Sequence, residues 1–296
     1  MELRTLGYFL TVAREGNITR AAGLLHLTQP TLSRQLKQLE EEVGAPLFQR
    51  GGHKLTLTAQ GQLLLRRAQE IVSLAQRAKE ELRLREGDLA GRVFLGSGEL
   101  RGSAFLAQMA ADFHRAHPGV TFQLYSGNAD NIRERIEQGL LDAALVPEPV
   151  DLGQYRYLRP PMRERWGALV LEGSPLAAKG ALSPEDLLGV PLVVPQREAV
   201  LTDLANWFGP VWGQLDRVAG GNLQYNEAIL AKALGGCVVT MELETRFSGM
   251  AFVPLSPALE VGTLLIWKNT QAFSQAAQAF LRFAESYVLG MEEAPK

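Results

Sequence analysis

The sequence predicts a multi-domain α+β chain made of a small helical unit closed by a hairpin, one long helix, and a larger part in which strands and helices alternate. Three observations carry this. The 296 residues exceed what a single hydrophobic core usually organises. Apolar residues recur at helical spacing in the first part of the chain, and again from 58 to 87 without a proline. From Arg92 onward, short strand-like runs are separated by amphipathic helices.

The 46% hydrophobic and 21% charged fractions belong to a globular chain rather than a disordered one. No run of about eighteen apolar residues is available to cross a bilayer, so no membrane partner is expected. The start, MELRTLGYFLTVAREGN, lacks the basic, apolar and small-residue regions of an export signal, which predicts a cytoplasmic, nucleoid-associated location. The single Cys237 allows no intramolecular disulfide, in keeping with a reducing compartment. Net charge is −2 but unevenly spread. Through Arg67 there are nine basic and five acidic side chains, leaving −6 on the other 229 residues. That asymmetry points to a nucleic-acid surface at the N-terminal end.

Leu3, Leu6, Phe9, Leu10 and Ala13 predict a first helix, which Gly16 stops and after which Asn17 caps the next. The second helix is expected over 18–25, with Ala21 and Ala22 small enough for close packing. Thr28 is the expected N-cap of a third helix, with Pro30 in a first turn that tolerates a missing N–H. Leu32, Leu36, Leu39 and Val43, four, three and four residues apart, form its core stripe. Pro30, Ser33, Arg34 and Lys37 then project from the other side, with Gln29 and Thr31 at the start. Polar and cationic groups on the first exposed turns are the layout of a recognition helix. Glu40, Glu41 and Glu42 are confined to the last turn, keeping that end away from phosphates. Two short strand-like runs flank Gly51 and Gly52 and predict a wing, with Arg50, His53 and Lys54 at its tip and Leu55 and Leu57 turned inward. The unit reads as a winged helix-turn-helix.

The run NITRAAGLLHLTQPTLSRQLKQLEEEVGAPLFQR followed by LTAQG resembles the N-terminal signature of LysR-type transcriptional regulators, continuously over about sixty residues. The resemblance implies double-stranded DNA as partner, with groove contacts from Gln29, Pro30, Thr31, Ser33 and Arg34, a phosphate contact from Lys37 and a wing contact from Arg50. Asn17, Thr19, Thr28, His53 and Lys54 complete the expected DNA-binding set. His53 stands where the family often has a second arginine, and Asn17 where a serine is common; these departures bear on backbone contact, not on the fold.

In the proline-free stretch, Leu64, Ala68, Ile71, Ala75, Ala78 and Leu82 alternate spacings of four and three and predict a heptad seam. A second copy would cover that stripe; packing on the chain's own C-terminal part is the alternative. The resemblance favours a linker helix pairing antiparallel in a homodimer or homotetramer, matched to an operator with two half-sites, with RNA polymerase as a further partner.

The remaining chain reads as RVFLGSG, a helix over 100–117, VTFQLYSG, a helix over 129–139, and LDAALVP. A second group follows: WGALVLEG, a helix after SPEDL, PLVVP, helices over 199–208 and 226–235, and GCVVTM. EVGTLLIWKN then leads to a last helix built on Phe273, Ala277, Phe280, Leu281 and Ala284. Two such groups resemble the two-lobed α/β, periplasmic-binding-protein-like effector domain of the same family. The expected divisions are 1–58 for the DNA reader, 59–89 for the linker and 90–296 for the effector domain, with lobe I at 90–160 plus 267–296 and lobe II at 161–266. Matched positions imply a small-molecule effector near Ser97, Gly98, Glu99, Ser126, Asn128, Pro147, Gln196, Arg197, Thr202 and Asn222. Helix N-termini facing the cleft would leave free N–H groups suited to an anionic or polar metabolite. Glu99 opposes a simple carboxylate unless Arg101 or Arg197 compensates. Ser97, Ser126 and Asn128 read equally well as turn and cap residues.

A solute-binding protein, or another small-molecule module without a DNA function, is the competing class; the DNA-reading segment argues against it. An enzyme is not expected. The chain shows no phosphate-binding glycine loop, nucleophile elbow or paired-Cys metal motif, and no cofactor or catalytic residue is assigned. His114 and His117 share a helical face at a spacing that metal sites use, but no further ligand motif accompanies them.

Overall fold

A computed structural model describes residues 1–51, 54–81 and 89–292; the side chains of residues 50, 51, 54, 80, 81 and 292 lie outside the description, as do His53 and Leu82. The chain divides into two units, Met1–Arg85 and Glu86–Lys296.

In the first unit α1 (Leu3–Glu15) buries Leu6, Phe9 and Val12. Leu3, expected on that stripe, is exposed, and Leu10 and Ala13 are half-buried. The face is set by the helices that pack on α1, and they meet it along Leu6, Phe9 and Val12. Gly16 ends α1 at φ 60°, a left-handed conformation that a side chain would strain. Asn17 opens α2 (Ile18–Leu24) by accepting from the Arg20 amide at 2.9 Å. Thr28 opens α3 (Gln29–Val43), accepting from the Thr31 amide at 3.4 Å. Leu32, Leu36 and Leu39 are buried, but Val43 is 41% exposed. Gly44, at φ 74°, turns the chain one residue later, so the core stripe ends at Leu39.

β1 (Phe48–Gly51) and β2 (Lys54–Leu57) pair antiparallel, with Phe48 opposite Leu57. Glu40 does more than charge a helix end: its Oε1 accepts the amides of Leu47 and Phe48 at 2.7 and 3.1 Å and so anchors the wing to α3. The Thr58 hydroxyl donates to the Pro46 carbonyl at 2.7 Å and accepts from the Gly61 amide at 3.0 Å, opening α4 (Ala59–Glu81). Leu64, Leu65, Ala68 and Val72 then join the core of this same unit. Ala68 is 0% exposed and so is not free for an intermolecular seam, because α1 already packs on α4, while Leu64 is half-buried. Further along, Ile71 and Ala78 are exposed and Ala75 is half-buried; Leu63 and Leu74 are exposed as well.

The second unit runs β3 (Gly91–Ser97), α5 (Gly102–Ala116), β4 (Val120–Ser126), α6 (Ala129–Glu137), β5 (Ala143–Pro147), β6 (Tyr155–Leu158), β7 (Arg163–Leu171), β8 (Leu192–Pro195), α7 (Glu198–Phe208), β9 (Arg217–Gly221), α8 (Gln224–Ala233), β10 (Cys237–Met241), β11 (Met250–Pro254), β12 (Glu260–Lys268) and α9 (Gln275–Glu292). The strand order is β4-β3-β5-β12-β7-β10-β8-β9, with β11 also on β7 and β6 on β12. β3 lies parallel to β4 and β5 in one lobe, and β8 parallel to β9 and β10 in the other. In the sheet the halves meet through a short antiparallel crossing, Glu260–Gly262 of β12 against Arg163–Arg165 of β7. From Thr263 on, β12 pairs with β5, so the return strand enters the first lobe at 263 rather than at 267.

Each lobe has its own core, one around Leu95, Met109, Phe113 and Phe280, the other around Val194, Leu204, Phe208 and Val239. α9 covers the first with Ala276, Ala277, Phe280 and Ala284. The helix expected after SPEDL is only a 3-10 turn, Pro184–Leu187, closed by Gly189 at φ 72°. β6, β9 and β11 went unread because they are short and do not alternate cleanly; β9, RVAGG, has two glycines and a largely exposed edge.

Gly61 is a packing constraint: a Cβ there would lie 2.1 Å from the Leu47 carbonyl oxygen. Gly61→Ala should therefore cost about 1–3 kcal/mol by overpacking against backbone that cannot rotate away. Urea unfolding followed through the first unit measures this, with the α4 surface substitution Gln62→Ala expected to be near neutral.

Candidate functional site

On α3, Gln29, Pro30, Arg34 and Lys37 are exposed and Thr31 and Ser33 half-buried, so the expected groove-facing residues share one face. Internal bonds order its start: Gln29 Nε2 donates to Ser33 Oγ at 2.8 Å, and the hydroxyls of Thr28 and Thr31 are bonded at 2.8 Å. The Arg34 guanidinium takes part in no ion pair or hydrogen bond among the described residues. Lys37 faces Glu41 at 3.6 Å, a surface pair too solvated to hold it. Thr19 is exposed at the start of α2, while one oxygen of Asn17 is spent on its cap. The side chains of Arg50 and Lys54, with His53, lie outside the described residues.

In the second unit a cavity of about 140 Å³ opens between the lobes. It gathers Gly98, Glu99, Asn128, Pro147, Gln196, Arg197 and Asn222 of the expected set. Ser97, Ser126 and Thr202 are not on its wall. Ser97 is buried, donating to the Gly98 carbonyl at 3.0 Å and bonded to Ser103 Oγ at 2.9 Å. Ser126 pairs opposite Ser97 at the end of β4, and Thr202 donates back to the Glu198 carbonyl at 3.0 Å inside α7. Trp166, Gln224, Glu227, Thr240 and Met241 line the cleft and were not foreseen. The signal for Glu227 was its place in the first turn of a helix that follows Gly220 and Gly221.

The backbone donors expected to await a ligand are largely taken by the protein's own acceptors. Buried Glu164 accepts the amides of Arg101 and Gly102 at 3.0 and 2.9 Å at the start of α5, and burial pushes its carboxyl up. Asn128 accepts from the Asn131 amide at 2.9 Å, and Glu99 from the Gln224 amide at 2.6 Å at the start of α8. The arginines are engaged too. Arg197 meets Asp130 at 3.3 Å across the cleft and donates to the Pro149 carbonyl at 3.5 Å. Arg101 turns to Glu242 at 3.3 Å and Glu244 at 3.8 Å, while Arg165 grips Glu242 through two bonds of 3.0 Å. Glu227 is 7% exposed and its side chain makes no hydrogen bond or ion pair among the described residues. Burial first, and the charge of Glu99 second, push it up to about 7.

His114 Nδ1 lies 2.7 Å from the Val120 carbonyl and His117 packs on Phe113, so both have structural partners. Among the described residues no group of three side chains able to hold a metal comes together. No helix among them is long and apolar enough to cross a membrane. Cys237 is buried in β10, which pushes its thiol up to about 12.

Residues 3–62 match the family described as bacterial regulatory helix-turn-helix protein, lysR family, and residues 86–288 match the LysR substrate binding domain. The chain belongs to the LysR family. Among its LysR relatives, the transcriptional regulator BsdA of Bacillus subtilis is 38% identical over 147 residues, covering 49% of this chain and 50% of its own length. The match thus spans about half of BsdA, and that to YybE of the same organism spans 64% of it at 30% identity. The transcriptional activator CmpR of Synechocystis is 27% identical over 93% of this chain and 92% of its own. The crystal structure of CbnR, a LysR family transcriptional regulator, superposes with a TM-score of 0.77 at 21% identity, covering 97% of this chain and 99% of CbnR, which shows a common fold.

Glu227 makes stability of the second unit depend on pH. Its carboxyl lies near 7 in the folded chain against 4.5 ordinarily, so its contribution is complete at low pH and is lost as pH rises through about 7. Thermal melts across this range should show the loss, and Glu227→Gln should flatten it while raising the melting temperature on the alkaline side.

Proposed function

We propose that this LysR-family chain regulates transcription: α3 enters the major groove of operator DNA, and a small molecule held between the lobes controls that engagement. The observation that carries the reading is the exposed face of α3, where an arginine without internal partners sits among short polar groups. A guanidinium can pair in two-pronged fashion with a base edge, which gives sequence discrimination, whereas an ammonium such as that of Lys37 serves any phosphate. Gln29, Pro30, Thr31 and Ser33 would lie against the groove, Asn17, Thr19 and Thr28 against the backbone, and Arg50, His53 and Lys54 of the wing against phosphate or a narrow minor groove. CbnR has been solved with its target DNA, which supports the same use of the shared fold.

Two copies would join along the outer part of α4, where Ile71, Ala75 and Ala78, with Leu74 on the same side of the helix, offer apolar surface, and Leu82 continues the spacing. A homodimer, or a homotetramer built from two, then suits an operator with two half-sites. Closure of the lobes on the effector changes the spacing or bend of the bound DNA. The chain acts in the cytoplasm by binding rather than by catalysis, with RNA polymerase as the further partner.

Arg34→Ala should lower operator affinity while leaving random DNA nearly unaffected, a loss of about 1–3 kcal/mol in discrimination. Lys37→Ala should weaken both alike and reduce the salt slope by about one. Fluorescence anisotropy on operator and scrambled duplexes over a salt series reads both. Equal losses on the two duplexes for both variants would sink the assignment of base reading to Arg34.

A further inference from the structure

From the charges arranged in the cleft we propose that its occupant is an organic cation, an amine or amidine on an apolar body, received by the carboxylates of Glu99 and Glu227. This rests on the reading of the cleft as the effector site and specifies the chemistry that site accepts.

Three of the four helix starts at the cleft are engaged before an anion arrives, and only that of α7 has no side-chain cap. The Gln224 amide at the start of α8 holds the Glu99 carboxylate at 2.6 Å, so the chain has placed its own negative group where an anionic ligand would dock on that helix. The first amides of α5 hold Glu164, and that of Asn131 holds Asn128. Arg197 is committed to Asp130 and Arg101 to Glu242 and Glu244. A carboxylate docking at α5, α6 or α8 would have to displace one of these, and one at the uncapped start of α7 would share the cavity with Glu99 and Glu227.

Glu227 supplies the positive argument. It lies on the cavity wall, nine-tenths buried, with no donor supplied by the protein. The chain also leaves it room: a Cβ on Gly221 would stand 2.5 Å from Glu227 Oε1, so a glycine is needed where the carboxyl lies. A desolvated carboxyl without a donor must keep a proton or meet a cation. Leu100, Trp166, Val200 and Met241 make the surrounding wall apolar, which suits a hydrocarbon or aromatic body and lets Trp166 face a positive charge. A metal ion is the poorer match, since no third ligand-type side chain joins the two glutamates among the described residues.

Proton linkage follows. The elements packed on α8 contribute Glu99 from the turn before α5, Arg217 from β9 and Cys237 from β10, and α8 itself carries Lys232. Arg217 is stacked on Trp212 and the thiol is pushed up to about 12, which leaves Glu227 as the group that titrates near neutrality. A cation bound at Glu227 displaces its proton below about 7, so affinity should weaken as the medium becomes acidic. An anion would show the opposite slope.

The test is calorimetric titration of the full chain with benzylamine and benzamidine against benzoate, which has the same ring and the opposite charge, and with magnesium and zinc salts. The amines should bind more tightly than benzoate by about tenfold or more, and Glu227→Gln and Glu99→Gln should each weaken them by about tenfold. Both substitutions keep the size of the side chain, and a cooperative thermal melt of each variant confirms folding. Benzoate binding as tightly as the amines, amine affinity unmoved by Glu227→Gln, tighter binding of either metal, or no amine binding at millimolar concentration would each overturn the proposal. Footprinting of operator DNA in the same samples separates it from the reading beneath it. Benzoate that binds and alters the footprint defeats the charge assignment and leaves the cleft as effector site. Amines that bind through Glu227 and leave the footprint unchanged defeat the regulatory role and leave the charge assignment standing.

Discussion

The second unit depends on a narrow crossing, where three residues of β12 meet three of β7 and which Glu164, Glu99 and Arg101 reinforce with bonds from lobe to lobe. Each lobe is otherwise a closed structure, with parallel strands, covering helices and a separate apolar core. Two bodies with complete cores gain little by burying their facing surfaces in each other, so a cleft persists between them. Its walls are the ends of parallel strands and the turns that lead into helices, the place where open α/β sheets put loops of variable chemistry. Arg197 and Asp130 add a tie from the other side of the opening, so the cleft is spanned at its mouth as well as hinged at its base.

The same construction concentrates charge. Turns entering helices present amides, and this chain answers three of them with its own acceptors, Glu164, Asn128 and Glu99. A carboxylate at a helix start is stabilised by the dipole there, which explains why Glu99 can stand near a second glutamate. Glu227, one turn into α8, has no amide to answer and carries the resulting desolvation. The cleft therefore sets a buried acceptor against one helix start, that of α7, left without a side-chain cap.

Much of this was legible in the residues. The caps at Asn17 and Thr28, the glycine stop at 16, and the stripe Leu32, Leu36, Leu39 follow from local rules that act over four residues or fewer. What escaped was non-local. Glu40 looks like an ordinary helix-end acid until the chain returns at Leu47 and Phe48 to use it. Ser97 and Thr202 sit at positions that family matching favours, yet each finds a nearer partner within its own element or turn. The vacant helix starts were expected because spacing reveals where a helix begins and says nothing of which distant carboxylate arrives there. Val43 and Leu3 fit the periodic stripes by arithmetic, but burial also requires a neighbour overhead.

The long helix has a mechanical consequence that begins at Ala68. Because Leu64, Leu65, Ala68 and Val72 are built into the same core as α1 and α3, the first turns of α4 and the recognition helix form one rigid lever. A twist that reaches this part of α4 is handed to the reading head through packed side chains.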